Sequence, residues 1–279
     1  MILIMTLLVR DNEDIIAANI DYHLSQGVDF FIVTDNLSED RTREILKTYQ
    51  NKGLLHYIYE DRDDYSQNRW VTRMAKLAAT DFNADWIINN DADEFWWPEH
   101  GNLKELFSAI PPEIKAVEAH RVNFPPVSSH PQGFFADIMT VREVQSLNAL
   151  GKPLPSKVCH RACSDIEVAH GNHSVEIAGT TIKPQPVPIT IFHFPLRSYT
   201  QFANKIQKGG SAYNRNTELP ENVGYTWRKW YQMLQDGTLK EYFQSQVLDE
   251  QTLKKGLQEG KLVRDERLKN YLSNLNSSG

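Results

Sequence analysis

The sequence contains only two cysteines, Cys159 and Cys163, among 279 residues. A framework of structural disulfides is not expected, and a reducing compartment is the simpler assignment. His160, His170 and His173 lie close by in a C-x3-C-x6-H-x2-H arrangement, which suggests zinc. The loop between the two ligand pairs is short for a zinc finger. We therefore interpret the cysteines as free thiols.

The chain also lacks a long hydrophobic run and an excess of basic residues. The apolar run at residues 2–9 is far shorter than the roughly 20 residues of a membrane-spanning helix. It follows Met1 directly, without the basic start and the cleavage site of a signal peptide. The formal net charge of −6 argues against a general nucleic-acid-binding protein. We expect a cytoplasmic protein that binds no nucleic acid.

An internal repeat, a glycine-rich phosphate loop and a nucleophile elbow are missing as well. The first 95 residues instead alternate apolar strands with helical patterns. Strands are predicted at 2–9, 30–33, 54–59 and 86–88. Strand–helix repeats at this spacing predict βαβ units and therefore a parallel sheet.

The pattern loosens after Phe95. Residues 124–160 are rich in Pro, Ser, Gly and Asn and are predicted to form loops and hairpins, whereas 189–194 form a last strand and the remainder is helical. Basic and acidic residues alternate in the tail from residue 250. This pattern is typical of a solvated helical face, and contact with a membrane surface is the alternative.

The strongest chemical signal is the stretch from Asp85 to Trp97. A short apolar strand runs directly into Asp91-Ala-Asp93-Glu, and in an extended chain Asp91 and Asp93 point to the same side. Two neighbouring carboxylates repel each other, and a divalent cation such as Mg²⁺ or Mn²⁺ neutralises them while it holds a phosphorylated substrate. An acidic surface turn is the alternative. The position at the carboxyl end of a central strand, followed by three aromatic residues, argues against it.

Two further loops are predicted at the same edge of the sheet, because they follow the first and second strands. In these loops Asp35 can accept hydrogen bonds from a base or ribose, and Arg10 can pair with a phosphate. Helix capping is the alternative role for such residues. It is favoured for Asn12, Ser38 and Asp40.

Three motifs occur in order: Arg10-Asp-Asn-Glu13, Val33-Thr-Asp-Asn-x-Ser-x-Asp-x-Thr42 and Asn90-Asp-Ala-Asp-Glu-Phe95. With them the sequence resembles family 2-type glycosyltransferases of GT-A fold, in particular bacterial members with an Asp-Ala-Asp-Glu-Phe form of the DXD motif. The resemblance is strong over 1–95 and patchy to about 210. It implies an α/β GT-A-type domain with a central, mostly parallel sheet flanked by helices. A C-terminal helical extension would follow.

The expected activity is transfer of a sugar from a nucleotide-diphosphate donor to an acceptor hydroxyl, with Mn²⁺ or Mg²⁺. Family context alone suggests bacterial surface-glycan synthesis, with a glycan or lipid-linked acceptor. The expected domains are 1–210, divided into a nucleotide-binding half (1–95) and an acceptor half (96–210), and 211–279. Peripheral contact with the inner face of the membrane fits this context.

The resemblance also implies roles for single residues. The residue matching Asp35 contacts the nucleoside, and Asp93 ligates the metal that bridges the diphosphate, with Asp91 beside it. Gln67 or Arg69, on the helix before DXD, is expected to help hold the base. Two residues of the first loop are expected in the nucleotide-sugar site: Arg10 and Glu13.

His193 is expected to be a further metal ligand, because GT-A enzymes frequently supply a histidine from a late strand. Arg197 and Lys205 follow it and would stabilise the departing diphosphate, together with the metal as Lewis acid. The alternative for His193 is a histidine packed in a strand and satisfied by a backbone carbonyl.

An inverting transferase also needs a general base near the acceptor hydroxyl. The common Glu-Asp acceptor-side motif is not recognisable in this sequence. His170, in the loop His170-Gly-Asn-His173, is the first choice, although a turn with exposed histidines is equally compatible with the pattern. The other candidates are Glu118, Asp165, Glu167 and His173.

Three other functions compete with this prediction. A haloacid-dehalogenase-type phosphotransferase carries its Asp-x-Asp after the first strand, whereas here the pair follows the fourth. A sugar-phosphate nucleotidyltransferase would normally have a glycine-rich early loop with a basic residue. A non-catalytic nucleotide- or carbohydrate-binding module stays open, because the acceptor-side base is not located.

Overall fold

The computed structural model describes residues 1–64, 66–128, 133–148, 151–216 and 223–277. Its strands are β1 (Leu3–Val9), β2 (Phe30–Asn36), β3 (Leu55–Glu60), β4 (Trp86–Asp91), β5 (Glu94–Pro98), β6 (Ala116–Asn123), β7 (Val141–Glu143), β8 (Lys157–Arg161), β9 (Ile166–Val168), β10 (Val175–Ile177), β11 (Thr180–Thr181), β12 (Gln185–His193) and β13 (Leu262–Arg264). Its helices are α1 (Ile16–Ser25), α2 (Thr42–Asn51), α3 (Gln67–Thr80), α4 (Leu103–Ser108), α5 (Phe135–Ile138), α6 (Tyr199–Arg215), α7 (Tyr225–Gln235), α8 (Leu239–Gln246), α9 (Glu250–Gln258) and α10 (Arg267–Ser277).

The central sheet has the strand order β3-β2-β1-β4-β8-β6-β12-β5. The first four strands of this order are parallel, with β1 between β2 and β4. β8 then pairs antiparallel with both β4 and β6. The predicted α/β fold with helices beside a central sheet is confirmed, and its parallel part is the N-terminal half.

The core of this sheet forms because both faces of β1 are covered. Leu3, Ile4, Met5 and Leu7 have no solvent exposure. α3 presents an apolar face at helical spacing, with Met74 and Ala78 packed in the same cluster as Ile4. Burial of each large apolar side chain contributes roughly 1.5–3 kcal/mol, so this packing fixes the carboxyl ends of β1, β2 and β4.

The structure divides into two compact units. The first comprises 1–62, 66–121 and 154–192 and contains nearly all of the central sheet. The second comprises residues 63 and 64 and the described parts of 122–153 and 193–279. Its own core gathers Phe202, Ile206, Leu239 and Phe243 from the predicted C-terminal helices. The boundary at residue 210 stays a prediction.

Two local predictions are wrong. Residues 157–160, expected among loops and hairpins, belong to β8 inside the central sheet. Asn12 and Ser38 do not cap α1 and α2, because their side-chain oxygens accept hydrogen bonds from the Arg10 and Asp11 amides instead. Asp40 Oδ1 accepts from the amide of Thr42, the first residue of α2, as expected of a capping group. In the described part of the chain, no helix is both long and apolar enough to span a bilayer.

Candidate functional site

The acidic stretch lies at the junction of β4 and β5 in the first unit. Asp91 ends β4, the chain turns at Ala92 and Asp93, and Glu94 begins β5. The stretch is therefore not extended as the sequence suggested. The Asp91 side chain is 32% exposed, whereas Asp93 is 5% exposed and Glu94 is buried. The two predicted metal-binding carboxylates thus lie at the carboxyl end of a central strand.

Two cations meet these carboxylates inside the first unit. Lys157, the first residue of β8, is 1% exposed and donates a hydrogen bond to Asp91 Oδ2. Its Nζ also lies 3.3 Å from Glu94 Oε1. Arg121 Nη1 donates to the same Glu94 oxygen over 3.0 Å. Neither cation was identified from the sequence, where the only available signal was a lysine directly before the apolar residues of β8.

The charges of this cluster shift its pKa values in opposite directions. Burial and repulsion from Asp93 raise the pKa of Asp91, but the charge and hydrogen bond of Lys157, together with the charge of Arg121, outweigh them and hold that pKa below its ordinary value. Burial raises the pKa of Glu94 to about 6, although Lys157 and Arg121 act against it. Glu94 Oε2 is buried and has no hydrogen-bond partner within the described residues.

A short 3₁₀ turn from His170 to Asn172 lies against the acidic cluster. Gly171 has φ of +74°, a conformation that favours glycine. Its amide donates to Gln67 Oε1 over 3.0 Å, and Asn172 Nδ2 lies 3.4 Å from Asp91 Oδ1. The turn therefore connects the start of α3 to the end of β4. Gln67, expected to hold a base, supports this turn.

The two histidines of the turn differ in their partners. Both ring nitrogens of His170 are buried, and neither has a hydrogen-bond partner in the described part of the chain. Burial lowers its pKa. His173 Nδ1 donates to the Ser156 carbonyl over 2.8 Å, which leaves Nε2 as the acceptor. Burial, followed by the charges of Lys157 and Arg121, lowers the pKa of His173 to about 4.

Asp35 lies at the end of β2, at the same edge of the sheet as Asp91. Its carboxylate is completely buried and accepts hydrogen bonds from the Ser38 amide, the Tyr57 hydroxyl and Arg43 Nε. The Arg43 guanidinium stacks 4.6 Å from the ring centre of Tyr59, which is exposed. The groups that Asp35 supports are thus closer to solvent than Asp35 itself.

The remaining predicted residues of the first unit occupy its surface loops and α3. Glu13 Oε2 accepts a hydrogen bond from the Arg41 amide, so it fastens the first loop to the start of α2. Arg10 is partly buried at the end of β1, and Arg69 is exposed on α3. Their predicted contacts with a nucleotide sugar stay predictions.

The predicted site residues after position 192 belong to the second unit. His193 ends β12, and its Nδ1 pairs with Asn123 Oδ1 at 2.8 Å. Arg197 is buried and donates to the Phe194 carbonyl over 3.0 Å. The Lys205 ammonium lies 5.6 Å from the ring centre of Trp227. His193 as a metal ligand, and Arg197 and Lys205 as diphosphate contacts, remain predictions.

The acidic cluster of the first unit offers carboxylate oxygens to a divalent metal. Among the described residues, no group of three or more His, Cys, Asp or Glu side chains is arranged to hold a metal ion by itself. Mg²⁺ is usually bound by one or two carboxylates together with water and substrate phosphates. The oxygens of Asp91 and Asp93 fit that mode. Cys159 and Cys163 are free thiols, and Cys159 is buried in β8.

Comparison with known proteins gives one family. The model of glycosyltransferase family 92 matches residues 5–255. No curated protein matches the sequence. Among solved structures, S. aureus TarS 1-349 in complex with UDP has 14% identity and a TM-score of 0.42, and covers 100% of this chain and 91% of that one. Glucosyl-3-phosphoglycerate synthase from Mycobacterium tuberculosis, in complex with Mn²⁺, UDP and glucosyl-3-phosphoglycerate, has 20% identity and a TM-score of 0.32. It covers 43% of this chain and 44% of that one.

Proposed function

Since the chain belongs to glycosyltransferase family 92, we propose that it transfers a sugar from a nucleoside-diphosphate donor to an acceptor hydroxyl with the help of Mn²⁺ or Mg²⁺. The observation that carries the proposal is the cluster of Asp91, Asp93 and Lys157 at the carboxyl end of β4. Open α/β sheets bind their ligands at this edge. The family 2 resemblance is not confirmed, but its expected chemistry fits these residues.

In this proposal Asp91 and Asp93 hold the divalent ion, which when bound acts as a Lewis acid on the diphosphate. Lys157 is a resident cation that donates a hydrogen bond to one of them, Asp91. Asp35, through Tyr57 and Arg43, shapes the nucleoside end of the site. Positioned charges of this kind stabilise the negative charge that develops on the leaving group.

We assign the general base of an inverting transfer to the 170–173 turn. His170 is the first candidate, because both ring nitrogens lack a partner among the described residues. His173 is the second, because the Ser156 carbonyl fixes its tautomer and leaves Nε2 able to accept a proton. An acceptor hydroxyl on a glycan or lipid-linked glycan, at the inner face of the membrane, follows from the sequence resemblance alone.

The metal assignment is tested by thermal unfolding with a panel of nucleoside diphosphates, with and without Mn²⁺. We expect one nucleotide to raise the unfolding temperature only when metal is present. At a nucleotide concentration 100-fold above Kd, binding raises the free energy of unfolding by about 2.7 kcal/mol. Asp93→Asn should abolish the metal-dependent gain, whereas Asp81→Asn, an exposed acid in the same unit, should retain it.

An Asp93→Asn protein that keeps the full metal-dependent gain would refute the metal site. Stabilisation of the wild type by free glycans without metal would instead favour the carbohydrate-binding module. Stabilisation by nucleoside triphosphates and sugar phosphates, with pyrophosphate release, would favour a nucleotidyltransferase.

The base assignment is tested with His170→Asn and His173→Asn. Loss of a general base typically slows the reaction 10²–10⁴-fold. We expect His170→Asn to lose transfer at this scale while its nucleotide-dependent stabilisation is unchanged. Full turnover of His170→Asn, combined with a loss in His173→Asn, would move the role to His173.

A further inference from the structure

Lys157 holds an unusual position for a lysine. β8 runs antiparallel to β4, with Ile88 opposite Cys159, so its first residue lies towards the carboxyl end of β4. The side chain is 1% exposed and its ammonium reaches two carboxylates, those of Asp91 and Glu94. Charged side chains are almost never buried to this extent unless they are paired. The role of Lys157 therefore depends on the role of its two partners, Asp91 and Glu94.

The cluster carries three carboxylates, Asp91, Asp93 and Glu94, against the two cations Lys157 and Arg121. The formal charges of these five residues sum to −3 plus 2, or −1, and without Lys157 the remaining four sum to −2. Lys157 also occupies Asp91 Oδ2, which is one of the oxygens a metal ion would need. A divalent ion that arrives alone therefore meets a competing ammonium on Asp91.

We propose that Lys157 is the internal counter-cation of the Asp91/Asp93 pair and makes divalent-metal binding depend on the nucleoside diphosphate. A diphosphate supplies additional oxygen ligands for the metal. It also adds negative charge that offsets the repulsion between the metal ion and the ammonium. Metal and nucleotide therefore bind cooperatively, and by linkage each raises the affinity of the other by the same factor. This inference rests on the proposed function of the site.

A purely structural role for Lys157 makes a different prediction. If the lysine only neutralises buried Glu94, its removal lowers stability but leaves the coupling between metal and nucleotide unchanged. The coupling factor, which is the ratio of Mn²⁺ dissociation constants without and with nucleotide, therefore distinguishes the two roles.

The experiment measures free Mn²⁺ by electron paramagnetic resonance at pH 8, with and without UDP or whichever nucleoside diphosphate stabilises the wild type. For the wild type we expect a coupling factor of about 5–150. Lys157→Met should bind Mn²⁺ more tightly without nucleotide, and its coupling factor should fall towards one. Lys157→Arg should retain coupling. Lys76→Met is the matched control, because Lys76 pairs with Glu167 at the surface of the same unit.

A folded Lys157→Met protein with wild-type Mn²⁺ affinity and wild-type coupling would overturn the inference. If this variant does not fold, Glu94→Gln gives the answer. It removes one negative charge and leaves Lys157 to Asp91, so Mn²⁺ affinity without nucleotide should fall. An unchanged or higher affinity in Glu94→Gln would overturn the inference. A wild type that binds neither Mn²⁺ nor nucleotide would refute the proposed function itself.

Discussion

His160, in the middle of β8, is a buried residue that cannot easily accept a proton. It is completely buried, its Nδ1 donates to the Arg161 carbonyl, and Nε2 has no partner among the described residues. Burial lowers its pKa to about 4. The unfolded chain binds a proton near the ordinary value of 6.5, so it binds more protons than the folded protein between pH 6.5 and 4. Stability is therefore lost as the pH falls through this range.

We expect His160→Leu to remove part of this acid sensitivity. The shift of His160 from 6.5 to about 4 costs about 2 kcal/mol at pH 5 relative to pH 8. Urea unfolding of the wild type and the variant at both pH values measures the difference. The loss between pH 8 and pH 5 should be smaller in the variant by about that amount.

The control for this measurement is His120→Leu, because His120 is an exposed histidine of the same sheet. It should show the wild-type pH dependence. Equal losses of stability in the wild type and in His160→Leu would show that His160 does not control the acid response.

Single residues of the site differ in how far the sequence could predict them. Asp91 and Asp93 could be identified because their signal is local: two acids directly after an apolar strand. Lys157 could not, because its partner Asp91 is 66 positions away and antiparallel pairing brings the two together. Asp35 was identified, but its burial behind Tyr57 and Arg43 depends on packing that a linear pattern does not contain.

Strands, like single residues, could be predicted where their signal is local and not where distant segments pair. β1 to β4 were predicted because each is an apolar run bounded by polar or glycine-containing turns. β8 has only five residues and lies in a segment rich in turn-forming residues, so local composition argued against a strand. Its position is set by pairing with β4 and β6. Backbone amides of the loops after β1 and β2 also donate hydrogen bonds to side chains of the opposite loop, and a linear pattern does not show such pairs.

The 3₁₀ turn at 170–172 gives a prediction at the scale of an element. Gly171 and Gly179 have nearly the same backbone conformation, with φ of +74° and +73°. An added Cβ at Gly171 would lie 2.7 Å from the His173 ring, whereas at Gly179 it would meet no atom within 4 Å. Both alanine variants bear the backbone cost of roughly 1–2 kcal/mol, but only Gly171→Ala also displaces His173.

Denaturant unfolding should therefore show a larger loss for Gly171→Ala than for Gly179→Ala, by roughly 1–3 kcal/mol for the overpacked ring. Sugar transfer should fall in Gly171→Ala only, since the displaced turn carries both candidate bases. If the two variants lose the same stability and keep the same activity, the packing of His173 on Gly171 contributes neither to stability nor to sugar transfer.

At the scale of the whole molecule, the α/β class and the glycosyltransferase activity follow from local patterns in the first 95 residues. The division into two units does not. The second unit takes segments from both sides of residues 154–192, and this interleaving leaves no change of composition at any single position. Residue 210, the predicted boundary, lies within α6, which runs from Tyr199 to Arg215.

The two ends of the chain should also differ in local stability. β1 is paired on both sides, by β2 and β4, and its core residues have no exposure. α9 contains no fully buried residue. Amides whose hydrogen bonds break only in global unfolding exchange most slowly, whereas those of weakly packed elements exchange through local opening. Hydrogen–deuterium exchange should therefore be slowest in β1 and at least ten-fold faster in α9, a difference of about 1.4 kcal/mol or more in opening free energy.

Ligand binding should change this pattern only where the site lies. With Mn²⁺ and the stabilising nucleoside diphosphate, peptides that contain 91–94 and 170–173 should gain protection, because these segments hold the proposed metal ligands and the turn whose Asn172 contacts Asp91. α9 serves as the internal control and should exchange at its ligand-free rate. Protection gained equally throughout the chain would indicate general stabilisation by mass action rather than a site at the end of β4. An α9 that exchanges as slowly as β1 would contradict the difference in packing.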